Sequence, residues 1–199
     1  MAYSGKLTTV TNGASCLELF TGLVDYVTDT PATAGRDWVI VEDFRPTLNR
    51  VVLRNTGLSG DDIVYVGLDA SIHYTGAYAM LQPRVFVNYT AGETDFWNET
   101  VGNPAGDYFN AFAAMPLWEG LMDYWIVSNQ QRIALVAKVA TRYSNMYAGL
   151  MTRFAMPSEY PYPLLVCGDG WATTDWKNST DGDMFINHEE ENSNRHAFP

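Results

Sequence analysis

The sequence is short of cysteine, of basic residues and of long apolar runs, and each shortage removes a class of function. Cys16 and Cys167 are the only two cysteines in 199 residues, and neither stands in a C-x-x-C pair. The spacings of structural zinc sites and dithiol redox motifs are therefore missing. The expectation is two buried, reduced thiols, with a bond between them left open. Lysine and arginine number 12 against 23 acids, a net charge of −11. Such a surface repels phosphate backbones and anionic lipid, so nucleic acid is not an expected partner. No apolar run reaches the ~20 residues that a membrane span needs, and membrane insertion is not expected. Residues 1–6 carry no apolar stretch, so a secretory signal is not expected either.

Catalytic motifs are equally scarce. G-x-S-x-G, H-E-x-x-H and the phosphate-binding P-loop do not occur, and Gly168-Asp169-Gly170 is too short for a dinucleotide fingerprint. His188 and His196 stand near Glu189, Glu190 and Glu191, but in a polar run whose charges solvation explains. His73, between Ile72 and Tyr74, reads as a structural histidine on a strand. Asp181-Gly182-Asp183 begins like a calcium loop and departs from the pattern after two ligands. No catalytic residue, metal or cofactor is therefore expected. Carboxylate spacing is a property of the fold, so a cell-wall or capsule glycoside hydrolase stays open as an alternative.

What is present is apolar and aromatic. Hydrophobic residues make up 47% and aromatics 14%, with 12 Tyr and 6 Trp. A substantial core follows, and global disorder is excluded. Tyr and Trp join an apolar body to a polar tip, which suits half-buried positions and interfaces.

One helix is readable, at about residues 15–29. Leu17, Phe20, Val24 and Val27 recur at spacings of three and four and make one apolar stripe. Ser15 and Glu18 form an S-x-x-E capping box at its start. The stripe is expected to pack on the protein's own sheet. Strand patterns follow at 38–44, 51–54, 62–74 and 77–89, with Val64, Val66 and Leu68 on one face. Residues 90–120 are punctuated by glycine and proline and read as a loop-rich insertion. Its aromatic and acidic stretch Thr94-Asp95-Phe96-Trp97-Asn98-Glu99 would suit sugar stacking, and an ordinary amphipathic loop explains it too.

Residues 123–154 hold the clearest pattern. Tyr124-Trp125-Ile126-Val127, the polar turn Ser128-Asn129-Gln130-Gln131, and the strand 132–139 make a hairpin, which 143–151 extends to a meander. The strand 132–139 is apolar on both faces, as a central strand is. Asn129 tolerates left-handed turn geometry, and Arg132 can pair with a carboxylate at a subunit contact. Three prolines in 157–163 then enforce an extended path that presents Tyr160 and Tyr162 as rigid rings. Residues 168–199 carry seven acids and two bases, and few aliphatics. Trp171, Trp176 and Phe185 are isolated anchors in that arm, which a neighbouring chain is the simplest element to hold.

The stretch 124–139 is similar to one in virion structural proteins of tailed bacteriophages, where a "W-[FI]-V-[AS]-N-x-x-R" turn leads into a strand ending "V-[AV]-A-K-V". The similarity continues through Tyr143, Tyr147, Gly149 and Leu150. It reaches Pro157-Ser158-Glu159-Tyr160-Pro161-Tyr162-Pro163-Leu164, close to "[TM]-P-S-x-[WY]-P-Y-P-L"; Pro116-Leu117-Trp118 upstream also fits. About 50 of the 199 residues carry the resemblance. It implies a structural protein of the tail, baseplate or neck, made in the host bacterial cytoplasm and built into the virion; it transfers no catalytic residue, and the non-enzymatic expectation rests on the missing motifs. The partners implied are other copies of itself and other tail proteins, with a host surface glycan as an alternative ligand.

The expectation is therefore a mainly β protein: an antiparallel β-sandwich or jelly-roll-like domain over 1–167, with one N-terminal helix and an extended acidic C-terminal arm over 168–199. Interface residues are expected at Trp118, Trp125, Arg132, Tyr160, Tyr162, Trp171, Trp176 and Phe185.

Overall fold

A computed structural model of the protein describes residues 2–7, 14–28, 38–58, 60, 62–70, 78–86, 88–90, 111–118, 122–139, 141–151, 164–172, 184–188 and 196–198. The fold is mainly β, as expected, and every pairing among the described strands is antiparallel.

The first element is β1 (Ala2–Leu7), followed by helix α1 (Ala14–Thr28). Leu19, Phe20, Leu23, Val24 and Val27 of α1 are all buried in the main core, with Leu17 packed against it. Burying side chains of this size contributes about 1.5–3 kcal/mol each. The stripe thus packs on the protein's own strands, chiefly β5 (Tyr78–Phe86) and β6 (Ala111–Trp118). The helix already includes Ala14, so Ser15 lies in its first turn and not ahead of it.

A first meander follows. It comprises β2 (Val39–Asp43), β3 (Arg50–Asn55), β4 (Val64–Asp69), β5 and β6. The short helix α2 (Arg45–Leu48) joins β2 to β3, with Pro46 in its first turn. Asn49 ends it in the left-handed conformation, at φ 51°. Val64, Val66 and Leu68 share the inward face of β4, as their alternation required. A second meander comprises β7 (Met122–Asn129), β8 (Arg132–Val139), β9 (Arg142–Leu150) and β10 (Leu164–Ala172). Two further strands, β11 (Met184–His188) and β12 (His196–Phe198), continue from β10.

The strands form one path, β1-β7-β8-β9-β10-β6-β5-β4-β3-β2. The path folds over so that β9 and β10 lie against β4 and β5, and one core cluster draws on both halves. That is the sandwich-like arrangement in which alternate residues of each strand point inward. Trp38 ties the β2 end of the path to β7: its Nε1 donates to Ser128 Oγ at 3.2 Å and to the Asn129 carbonyl at 3.0 Å.

Several elements differ from the sequence reading. Helix α2 was not expected, and β11 and β12 add paired strands to what was expected to be an extended arm. Residues 111–118, expected within a loop-rich insertion, form β6, which pairs with β5 on one side and β10 on the other. Pro116 and three alanines mask it, because proline removes a ladder donor and argues against a central strand. Residues 168–172, expected in the arm, belong to β10 and pair with β6 and β9. β1 was not expected at all, and pairs with β7 along its whole length. The remaining insertion residues 91–110, the Pro-rich segment 157–163 and most of the arm lie outside the described residues.

Candidate functional site: the outward face of β7, β8 and β9

The β7–β8 hairpin is set by one side chain. Asn129 Oδ1 accepts from the backbone N–H of Gln131 at 2.8 Å and of Arg132 at 3.1 Å. This closes the turn and fixes the register, with Asn129 opposite Arg132 and Trp125 opposite Val136. Asn129 therefore works through its side-chain oxygen and not through left-handed backbone; the described non-glycine residue with positive φ is Asn49. On the far side of the turn Leu150 N–H donates to the Gln131 carbonyl at 2.8 Å.

Register then decides which side chains meet. Tyr124, Ile126 and Ser128 of β7 are buried, as are Ile133, Leu135 and Ala137 of β8, and Met146 and Ala148 of β9. The alternate residues therefore face outward together: Trp125 and Val127 on β7, Ala134, Val136 and Lys138 on β8, and Tyr143, Asn145 and Tyr147 on β9. Trp125 is 39% exposed, Val127 43% and Tyr143 58%. Strands lie about 4.8 Å apart, so residues on β7 and β9 start some 9–10 Å from each other. The Trp125 and Tyr143 rings nevertheless approach to 6.3 Å between centroids, inclined at 31°. They lean together over β8. Lys138 Nζ stands 5.4 Å from the Tyr143 ring centroid, within reach of a cation–π attraction.

The lower part of the face is polar. Burial raises the Tyr147 hydroxyl above its ordinary value, and a hydrogen bond with Arg132 works against that shift. The same hydroxyl donates to the Leu150 carbonyl at 2.8 Å. Cys167, across from Tyr147 in register, is a half-buried free thiol that burial pushes up to about 11. At neutral pH it is an inert thiol and a poor nucleophile.

The outward face of the other meander is different. Met80, Gln82, Arg84 and Phe86 of β5 and Val52 of β3 are buried. Val52 and Phe86 form a second small core with Val41, Tyr65 and Tyr89 around it. Asp69 is fully buried there and is held by Arg50, whose Nε and Nη2 each lie 2.8 Å from Asp69 Oδ2. Asp69 is thus one half of a buried ion pair that bridges β3 and β4. Among the described residues no three metal-ligating side chains cluster, and no helix is long and apolar enough to cross a membrane.

Of the expected interface residues, the structure places Trp125 and Arg132 on one open face. Trp118 lies at the end of β6 opposite Tyr78, and Trp171 lies in β10 opposite Phe112. Phe185 lies in β11 opposite Gly168. Tyr160, Tyr162 and Trp176 lie outside the described residues. Tyr143 and Lys138 were not singled out from sequence as site residues. The signal was available, since hairpin register plus strict alternation puts both on the face of Trp125.

A second cluster was also missed. At the corner of α1, β2 and α2, Arg45 holds two carboxylates. Its Nη2 lies 2.6 Å from Asp43 Oδ2 and its Nη1 lies 3.2 Å from Asp25 Oδ1. The side-chain hydrogen bond from Arg45 is the main cause that lowers the Asp43 carboxyl below its usual value, and Asp43 raises Arg45 in turn.

No protein-family model matches this chain, and no curated protein matches it.

Proposed function

We propose that this chain is a structural, non-catalytic subunit of a tailed-bacteriophage particle, placed in the tail, baseplate or neck, where it joins copies of itself and neighbouring tail proteins. One observation carries the reading. The segment whose sequence resembles virion proteins is also the segment that turns Trp125, Val127 and Tyr143 to solvent from a paired sheet. Large apolar side chains gathered on an open face mark a contact surface, and Trp and Tyr are the residue types that dominate such contacts. A sheet holds them in place at little entropic cost on binding. Mass spectrometry of purified particles, followed by locating the chain in a cryo-EM map, tests the proposal. Particles that lack the chain would sink it.

Recognition of a host surface glycan is a second reading, and the Trp125–Tyr143 pair favours it. Two inclined rings side by side, with Lys138 and Asn145 around them, form a platform on which a sugar ring could stack. A glycan array probed with the intact protein decides this reading. Signal that disappears in Trp125→Ala and Tyr143→Ala would support it, and a blank array would remove it.

A further inference from the structure

The open face is unlike the rest of the molecule in charge. It carries two bases, Arg132 and Lys138, against one acid, Asp123, in a chain with 12 bases and 23 acids. Two copies of so acidic a protein repel each other over most of their surfaces. The repulsion turns to attraction where this face meets an acidic surface.

The corner of α1 and α2 offers such a surface. Asp25 and Asp43 share the single guanidinium of Arg45, and the Asp25 side chain remains 67% exposed. Leu48, one turn from Arg45, is 45% exposed and gives the corner an apolar point of its own. Acid with an exposed leucine thus stands on one surface, and base with an exposed indole on the other.

We propose that the outward face of β7, β8 and β9 docks, head to tail, on the α1–α2 corner of a second copy of this chain. The inference deepens the assembly reading above and rests on it only for self-association. Pairing the face with itself would instead gather Arg132 and Lys138 from both copies, four bases against two acids. The head-to-tail contact brings opposite charges together and gives Trp125 and Val127 an apolar neighbour. Because its two halves are different patches, the contact repeats from copy to copy and builds a ring or a filament.

Two variants test it in the full chain. Val127→Glu with Lys138→Glu spoils the face and leaves the corner intact. Asp25→Lys with Leu48→Ser spoils the corner and leaves the face intact. Light scattering coupled to size exclusion is expected to show concentration-dependent species larger than a dimer for the unaltered protein. Each variant alone is expected to be monomeric, with association at least tenfold weaker. Their mixture is expected to give a one-to-one pair, since one good face and one good corner remain. A corner variant that still dimerises would mean face-to-face pairing and overturn the proposal. So would an unaltered protein that stays monomeric, including one that binds glycans through the same rings. Should either variant fail to fold, carbodiimide cross-linking of isotopically mixed unaltered copies gives the answer. Lys138 joined to Asp25 or Asp43 of another copy is the expected product, and its absence overturns the contact. Particles that lack this chain would remove the phage reading and leave the contact standing.

Discussion

The Trp38 indole and the Ser128 hydroxyl, 90 residues apart in sequence, meet at 3.2 Å and join the start of β2 to the end of β7. Both residues are buried, Trp38 at 2% exposure and Ser128 at 2%. The same N–H also reaches the Asn129 carbonyl, beside the turn that sets the β7–β8 register. Trp38→Phe keeps an aromatic ring there but removes the donor. The expected loss is about 1–3 kcal/mol, because a buried acceptor is left without its hydrogen bond. Urea unfolding followed by tryptophan fluorescence of the other five Trp checks it, and an unchanged midpoint would show the link to be unimportant.

Gly149 and Gly22 are expected to respond in opposite directions to alanine. Gly149 has φ +148°, and a Cβ there would lie 2.2 Å from the Gln131 carbonyl oxygen and 2.6 Å from Arg132 Cα. Those are backbone atoms of the hairpin turn and cannot step aside without opening β8 from β9. Gly149→Ala is expected to destabilise by more than about 2 kcal/mol, with hydrogen exchange at β8 and β9 speeding up first. Gly22 lies inside α1 with nothing within 4 Å of an added Cβ. Gly22→Ala is expected to stabilise by about 0.5–1 kcal/mol. Thermal melts of the two variants give both signs.

The corner at Arg45 makes part of the acid sensitivity of the fold. The bond from Arg45 holds the Asp43 carboxyl below its unfolded value of 3.8. A depressed carboxyl contributes stability that is complete above the unfolded pKa and is lost as pH falls through the folded one. Asp43→Asn is therefore expected to flatten the fall in stability below about pH 4, and to lower stability slightly at neutral pH. Denaturant titrations at several pH values check this; parallel curves for both proteins would contradict it.

Cys167 is expected to be slow towards alkylating reagents. Burial moves its thiol from 9.0 up to about 11, so at pH 8 the thiolate is about 100-fold scarcer than in an unfolded chain. Iodoacetamide labelling followed by mass spectrometry should show Cys167 protected in the native protein and modified in urea. Rapid native labelling would mean that the β9–β10 region opens readily.

Periodicity made the strong elements legible. The α1 stripe admits one burial pattern, and the structure buries Phe20, Val24 and Val27 with Leu17 packed at the edge. The strand 132–139, apolar on both faces in sequence, buries Ile133, Leu135 and Ala137 and leaves Ala134, Val136 and Lys138 only partly covered. The meander 123–151 was also readable in order, because its turn is short and polar. What escaped had weak or misleading local signals. β6 is alanine-rich and interrupted by Pro116, so its strand character comes from the two strands that flank it. β1 is a short polar run whose partner stands far along the chain. For the open face, Trp125 and Arg132 were legible as residue types, while Tyr143 and Lys138 needed the register to bring them alongside. The Arg45 corner depends on the meeting of α1 with β2, a tertiary event that spacing alone does not encode.

The pairing of β1 with β7 has a consequence for the order of synthesis. Ala2 pairs with Val127 and Leu7 with Met122. Each meander pairs mostly with its own sequence neighbours and can zip soon after it leaves the ribosome. β1 precedes both meanders in the chain, yet it has no ladder to join until residues up to 127 have emerged. Throughout that interval β1 is a spare edge, open to the nearest nascent copy of the same chain.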